Sequence, residues 1–187
     1  MDLGGYCAVA DGHPYHGPYH DHEYGFPITD ESELFGRLML EVNQAGLSWL
    51  TILKKQETFR AAYDAWNVDR VAAYDEDDRA RLLADRGIIR NKLKVNAAIE
   101  NAKSIQRMRE SHGSFAAWLA AHHSQSRPEW VKLFKKTFRF TGGESTGEFL
   151  LSIGYLPGAH EPSCSVYEQI EKLSPPWMSS PPTEASK

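Results

Sequence analysis

Apolar residues recur three and four positions apart along most of the chain. No stretch alternates with period two for long enough to build a sheet. The pattern predicts an all-α protein. Thr29 or Asp30 can cap a helix running to about Asn43, with acids in its first turn. Gly46 breaks that helix, and a second is expected from Leu47 to Trp66, with Leu50, Leu53, Phe59 and Tyr63 among its apolar positions. Short helices follow over Val68–Tyr74 and Asp77–Asp85, then a long one over Lys92–His112. Ser114 can cap another through His122, and Glu129–Lys136, Glu144–Ile153 and Ser165–Leu173 complete the set. Residues 1–28 are rich in Gly, Pro, His and Tyr without a period, and read as an irregular arm that something must pin. From Ser174 the chain is Pro- and Ser-rich. The expected division is one helical domain over residues 1–173 and a flexible tail over 174–187.

Composition changes this picture in two ways. With 41% hydrophobic and 25% charged residues the chain is globular, and no apolar run is long enough to span a membrane. The N-terminus has neither a basic nor an apolar signal region, so a cytoplasmic location and a monomer are the default expectations. The net charge of −4 speaks weakly against a nucleic-acid partner, but the charges are segregated. The first 36 residues hold seven acids and no Lys or Arg, whereas the segment from Arg86 to Arg139 carries a net +9. Such a block suits a polyanion surface, although for any single Lys a solvated helix face is the simpler reading.

Three constellations could carry chemistry. In the first, a helix stops near Gly87, Ile88 and Ile89 follow, and a basic helix begins with Arg90, Lys92 and Lys94. This looks like a helix-hairpin-helix, in which a glycine turn and a helix N-terminus present amide groups to a DNA phosphate. An ordinary helical hairpin explains the segment about as well. In the second, Cys7 and His20 lie in the arm and His160-x3-Cys164 lies near the other end. Two thiolates and two imidazoles make a closed tetrahedral zinc site that would pin the arm. His13, His16 and His22 are rival ligands, and unrelated buried thiols remain open. The third is Glu41, set in the apolar run Leu38-Met39-Leu40-Glu41-Val42. A carboxylate there needs a partner. Arg37, four residues back, would make a helix-surface ion pair; a cationic ligand is the other option. Trp49 follows the helix break and Tyr19 sits in the arm, and aromatics beside a carboxylate suit a flat cationic base or an ordinary core.

Taken together and in this order, these segments resemble the DNA-3-methyladenine glycosylase I family of the helix-hairpin-helix superfamily. The resemblance rests on Tyr19-His20-Asp21-His22-Glu23-Tyr24-Gly25, on Leu40-Glu41-Val42-Asn43-Gln44-Ala45-Gly46-Leu47-Ser48-Trp49, and on Gly87-Ile88-Ile89-Arg90-Asn91. Phe138-Arg139-Phe140 and His160-x3-Cys164 come in the expected places. It implies the glycosylase fold with zinc joining the N- and C-terminal segments. It implies Cys7, His20, His160 and Cys164 as zinc ligands and Glu41, Tyr19 and Trp49 as base-binding residues, with Glu41 the catalytic carboxylate. Gly87, Arg90, Lys92 and Lys94 would grip double-stranded DNA containing alkylated bases. Departures fall near the pocket: Tyr24 stands at a usual Trp, Asn43-Gln44 at Gln-Gln, and Thr141-Gly142-Gly143-Glu144 at Val-Gly-Thr-Thr.

The implied reaction is hydrolysis of the N-glycosidic bond of 3-methyladenine in base-excision repair. The last Asp in the chain is Asp85, so a catalytic Asp downstream of the hairpin is absent. That fits a labile cationic substrate and water as nucleophile. Two alternatives stand: a lyase using Lys92 or Lys94, and a zinc-stabilised DNA-binding module without base excision.

Overall fold

A computed structural model describes residues 4–179. The arm read as irregular is two short helices, α1 (Gly5–Ala10) and α2 (His16–His22). Neither has a side-chain cap, and both are too short to stand alone. They persist because Cys7, Ala10, His16, Tyr19 and His20 are buried against the rest of the molecule. That long-range support leaves no periodic trace in a segment this short.

Helix α3 (Glu31–Gln44) is the spine. Asp30 caps it by accepting from the Glu33 amide at 2.9 Å, and Leu34, Phe35, Leu38, Met39 and Val42 are fully buried. Gly46, at φ +81°, turns the chain in the left-handed region, and Ser48 restarts it by capping α4 (Trp49–Leu53). The single helix expected over Leu47–Trp66 is in fact three pieces: α4, α5 (Gln56–Ala62) and a 3-10 turn at Asp64–Trp66. Asp64, Ala65 and Trp66 all have positive φ. This reversal turns Trp66 into the core, where it stacks on Tyr63 at 5.0 Å and on Phe59 at 6.2 Å. An ion pair of Arg70 to Asp64 at 2.7 Å, together with the Tyr74 hydroxyl donating to the same carboxylate, holds the turn.

Helices α6 (Val68–Ala72) and α7 (Glu76–Ala84) lead to the long α8 (Lys92–His112), which packs on both. Helix α9 (Phe115–Ala121) begins at the Ser114 cap, and α10 (Arg127–Thr137) and α11 (Gly143–Ser152) follow. Phe115, Trp118, Trp130, Phe134, Phe138 and Phe149 join these last three helices through ring contacts, and α11 lies against α3. Helix α12 (Tyr167–Lys172) closes the domain. Among the described residues there is no strand, and no helix is long and apolar enough to cross a membrane.

The segment expected to fray is anchored at its start. Pro175 is buried, the Trp177 amide donates to the Gly154 carbonyl at 3.1 Å, and Pro176–Ser179 forms a 3-10 turn. Residues 180–187 of the expected tail lie outside the described residues.

Candidate active site

Two buried polar groups share helix α2. The first gathers Cys7 from α1, His20 from α2, and His160 and Cys164 from the loop before α12, with all four ligand atoms within 4.8 Å of one another. The Cys164 sulfur lies 3.6 Å from His20 Nε2 and 3.7 Å from His160 Nδ1; the Cys7 sulfur lies 4.0 Å from His160 Nδ1. Ligands on a tetrahedral zinc would stand about 3.6 Å apart for sulfur and nitrogen, given the usual bond lengths. The four residues therefore fit a metal ion. Both cysteines are free thiols. Of the rival histidines, His13 Nδ1 accepts from the Tyr15 and His16 amides, His16 meets the Tyr6 hydroxyl at 2.9 Å, and His22 is exposed outside the cluster.

The remaining ring nitrogens are also satisfied. His20 Nδ1 donates to the Asp21 carboxylate at 2.7 Å, and His160 Nε2 donates to the Tyr24 carbonyl at 2.7 Å. These bonds leave His20 Nε2 and His160 Nδ1 as the ligating atoms, the usual arrangement around a bound metal. The Glu161 amide points at the Cys7 sulfur from 3.5 Å. Asp21 was not singled out in the sequence, and Tyr24 only as a departure from the family pattern, because these roles are local hydrogen bonds without a spacing signal.

The second group is a pocket of about 850 Å³ beside the first. Tyr19, Glu41 and Trp49, from three different helices, all line it. Tyr19 and Trp49 meet edge to face at 5.1 Å, and Tyr6, Tyr24 and Phe140 extend the aromatic wall. The turn at Gly46 and the Ser48 cap put Trp49 on the first residue of α4, facing back toward α3. Glu41 is only 4% exposed, yet its carboxylate has no hydrogen-bond partner among the described residues. Burial pushes it up to about 8, helped by the charge of Glu148 and opposed by Arg37.

Arg37 does not make the surface pair considered from the sequence. It is buried, donates to the Glu23 carboxylate at 2.9 Å and to the Tyr19 hydroxyl at 3.2 Å, and lies 4.9 Å from the Tyr19 ring centre. Gln56 also donates to Glu23. Arg37 thus fixes Tyr19 from behind and leaves Glu41 facing the cavity. Glu148, on α11, is a second carboxylate of the lining that the sequence reading missed. Its signal was the one used for Glu41: an acid inside an apolar stretch, here Gly147-Glu148-Phe149-Leu150.

The hairpin joins α7 to α8 as expected, with two corrections. The Gly87 amide donates to the Asp85 side chain at 2.6 Å, so that group is already bonded. Gly87 is instead required by close approach, since an added Cβ would lie 2.9 Å from Asp85 Oδ1 and 3.1 Å from Thr58. Thr58 donates to the Gly87 carbonyl at 2.7 Å and Lys55 to the Arg86 carbonyl at 2.8 Å, bracing the turn on α5. Lys94 faces inward. Its ammonium donates to the carbonyls of Asn43 and Ala45, both at 2.7 Å, closing the C-terminus of α3. Buried, and with two of its three protons so engaged, it is poorly placed to grip a phosphate or to act as a Schiff-base nucleophile. Arg90 and Lys92 are exposed and make no ion pair among the described residues.

Comparison with known proteins agrees with this geometry. The methyladenine glycosylase family model matches residues 9–141. DNA-3-methyladenine glycosylase 1 of Escherichia coli is 34% identical over 180 residues, covering 86% of this chain and 96% of that protein. Among solved structures, a variant of 3-methyladenine DNA glycosylase I in complex with 3-methyladenine superposes with a TM-score of 0.78 at 28% identity, covering 86% of this chain and 96% of that one. The Staphylococcus aureus enzyme, solved for its recognition of 3-methyladenine, gives 0.77 at 29% identity, covering 86% of this chain and 95% of that one.

Proposed function

Because the chain belongs to the DNA-3-methyladenine glycosylase I family, we propose that it hydrolyses the N-glycosidic bond of 3-methyladenine in DNA, as a monofunctional glycosylase of base-excision repair. The observation that carries this reading is Glu41: a buried carboxylate without a hydrogen-bond partner among the described residues, facing an aromatic pocket large enough for a purine.

The chemistry follows from the substrate. Adenine alkylated at N3 within DNA carries a positive charge on the ring. When the bond from the sugar C1′ to N9 breaks, the electron pair goes to the ring and neutralises it, so no acid need protonate the leaving group. Water adds at C1′ and releases its proton to solvent. The protein's task is to take the base out of the stack, which costs a few kcal/mol, and to hold it. Stacking against Tyr19 and Trp49 returns about 1–3 kcal/mol per base. Glu41 accepts a hydrogen bond from the exocyclic amine. Its ionised form is favoured once a cation enters, since opposite charge offsets the burial that otherwise keeps it protonated. As the bond breaks, positive charge moves to the adjacent sugar, within reach of the same negative pocket. Normal adenine has the amine but not the charge, and is discriminated against.

Arg90 and Lys92, exposed at the hairpin, are proposed to grip the phosphate backbone, with Gly87 allowing the turn to close. The metal is proposed to be zinc, as two thiolates and two imidazoles at tetrahedral separations suit it best. Held by Cys7, His20, His160 and Cys164, it would be closed to substrate and would supply a cross-link between the arm and the C-terminal segment.

Incubating the pure protein with methylated DNA and separating the released bases by chromatography tests the reading. Free 3-methyladenine is expected. Tight DNA binding without release of any base would replace it with the binding-module alternative.

A further inference from the structure

We propose that Glu148 is a second base-reading carboxylate and that, held by Tyr24, it makes the pocket select a purine with a fixed positive charge rather than an exocyclic amine alone. This rests on the glycosylase reading above and deepens it.

Glu148 projects from α11 into the pocket that Glu41 enters from α3, and the two helices pack directly on each other. The lining contains a third acid, Glu144 at the rim, but no Lys or Arg. Two cations lie behind the wall: Arg37, engaged by Glu23, and Lys94, whose ammonium is held by the carbonyls of Asn43 and Ala45, 5.8 Å from the Phe140 ring centre. Glu148 has one side-chain donor among the described residues: the Tyr24 hydroxyl, 3.3 Å from Oε2. The Tyr24 hydroxyl reaches across to this carboxylate, so the Tyr at this departure from the family pattern and the acid at 148 act as a pair. Tyr24 is itself immobilised, for its carbonyl accepts from His160 at 2.7 Å and its ring lies 5.2 Å from Tyr6. Glu148 is therefore aimed, with one oxygen held.

Two carboxylates facing one half-enclosed cavity repel each other, and the influence of Glu148 on Glu41 is the second largest cause of the raised proton affinity there, after burial. A neutral ring with one amine can satisfy one carboxylate oxygen and leaves the repulsion in place. A cationic ring between them removes it. In the empty pocket Glu41 escapes the repulsion by holding a proton; a charged base lets it ionise beside Glu148 and a neutral one does not, and that difference is selectivity.

The experiment compares binding of 3,9-dimethyladeninium, which carries the fixed charge of the alkylated base in DNA, with neutral 9-methyladenine, which has the same amine. Quenching of tryptophan fluorescence, to which Trp49 in the pocket wall contributes, reports both. The wild-type protein should prefer the cation. Glu148→Gln should reduce that preference at least about tenfold, the scale expected for two unit charges as far as ~12 Å apart at an effective dielectric of about 20, while 9-methyladenine binding changes much less. Tyr24→Phe, which frees the carboxylate without removing it, should give a smaller loss in the same direction. Thermal melts of both variants check that the fold is intact. An unchanged preference in Glu148→Gln, an equal loss for both ligands, or no preference in the wild-type protein would each overturn the proposal. Failure of the wild-type protein to release 3-methyladenine from DNA would instead overturn the glycosylase reading, and the binding preference would still be measurable.

Discussion

The metal junction and the base pocket are built from neighbouring residues, Tyr19 and His20 on one short helix, yet they treat polarity in opposite ways. At the junction each histidine nitrogen has a partner: Asp21 and the Tyr24 carbonyl on the outer side, thiols on the inner. In the pocket, Glu41 is as buried as those histidines but makes no hydrogen bond to another described residue, its carboxylate opening on the cavity. A satisfied buried group stabilises a fold; an unsatisfied one costs stability and persists where a ligand completes it. The difference separates architecture from function within a few ångströms, and it can be challenged experimentally.

The largest expected effect is at the junction. Structural zinc contributes an apparent ~10–16 kcal/mol in small zinc modules, comparable with or above the whole stability of an ordinary domain at about 5–15 kcal/mol. Chelation, or Cys164→Ser, should lower the melting temperature sharply and expose α1 and α2 to hydrogen exchange, while protein still folded retains its chemistry. Metal analysis of protein purified without chelator should find one zinc per chain; finding none, with no loss of stability in the serine variant, would break the comparison on this side.

Lys94 belongs with the satisfied groups. Lys94→Met strands two carbonyls, each losing a charged hydrogen bond of about 1.5–3 kcal/mol. A drop in stability of roughly 3 kcal/mol is expected by denaturant titration. A variant that kept its stability but lost excision would move Lys94 into the catalytic group.

Glu41→Gln should show the reverse pattern. Loss of a charged hydrogen bond to the base predicts an excision rate about ten- to a hundredfold lower, with binding to undamaged DNA little changed. Stability should move the other way. Glu41 is pushed up to about 8 in the fold from an ordinary value of 4.5. The folded state therefore holds its proton where the unfolded state has lost it, and the penalty for burying the group grows as pH rises from 4.5 to about 8, then levels off. The glutamine variant should match the parent in melts near pH 4 and exceed it above pH 8. Equal excision rates would remove Glu41 from the site. The smallest effect is at the hairpin, where Arg90→Ala should reduce the salt dependence of DNA binding by about 0.9 in the log–log slope, one phosphate contact.

Much of this was legible in the sequence for identifiable reasons. The ends of α3 are written in Asp30 and Gly46, because caps and breakers act locally. Glu41 stood out because a carboxylate amid Leu, Met and Val must be explained. The three-way break between Leu47 and Trp66 was not legible, since its left-handed residues include Ala65 and Trp66, types that do not announce such a turn. The inward turn of Lys94 was hidden because a lysine in a basic run looks like its neighbours until α3 is placed beneath it. Glu148 showed the same signature as Glu41 in weaker form, diluted by the glycine before it.

Lys94 has one more consequence. It reaches from the first turn of α8, where Lys92 faces outward, to the carbonyl of Ala45 in the wall of the pocket. On the proposed mode of binding, the gripped phosphate and the mouth that receives the base are joined by a strut with a fixed span. The protein then carries a ruler: a nucleotide swung out of the helix arrives at the aromatic wall only if it lies the right number of bonds from the held strand. Registration along the DNA becomes a dimension of the folded molecule, set before the damage is met.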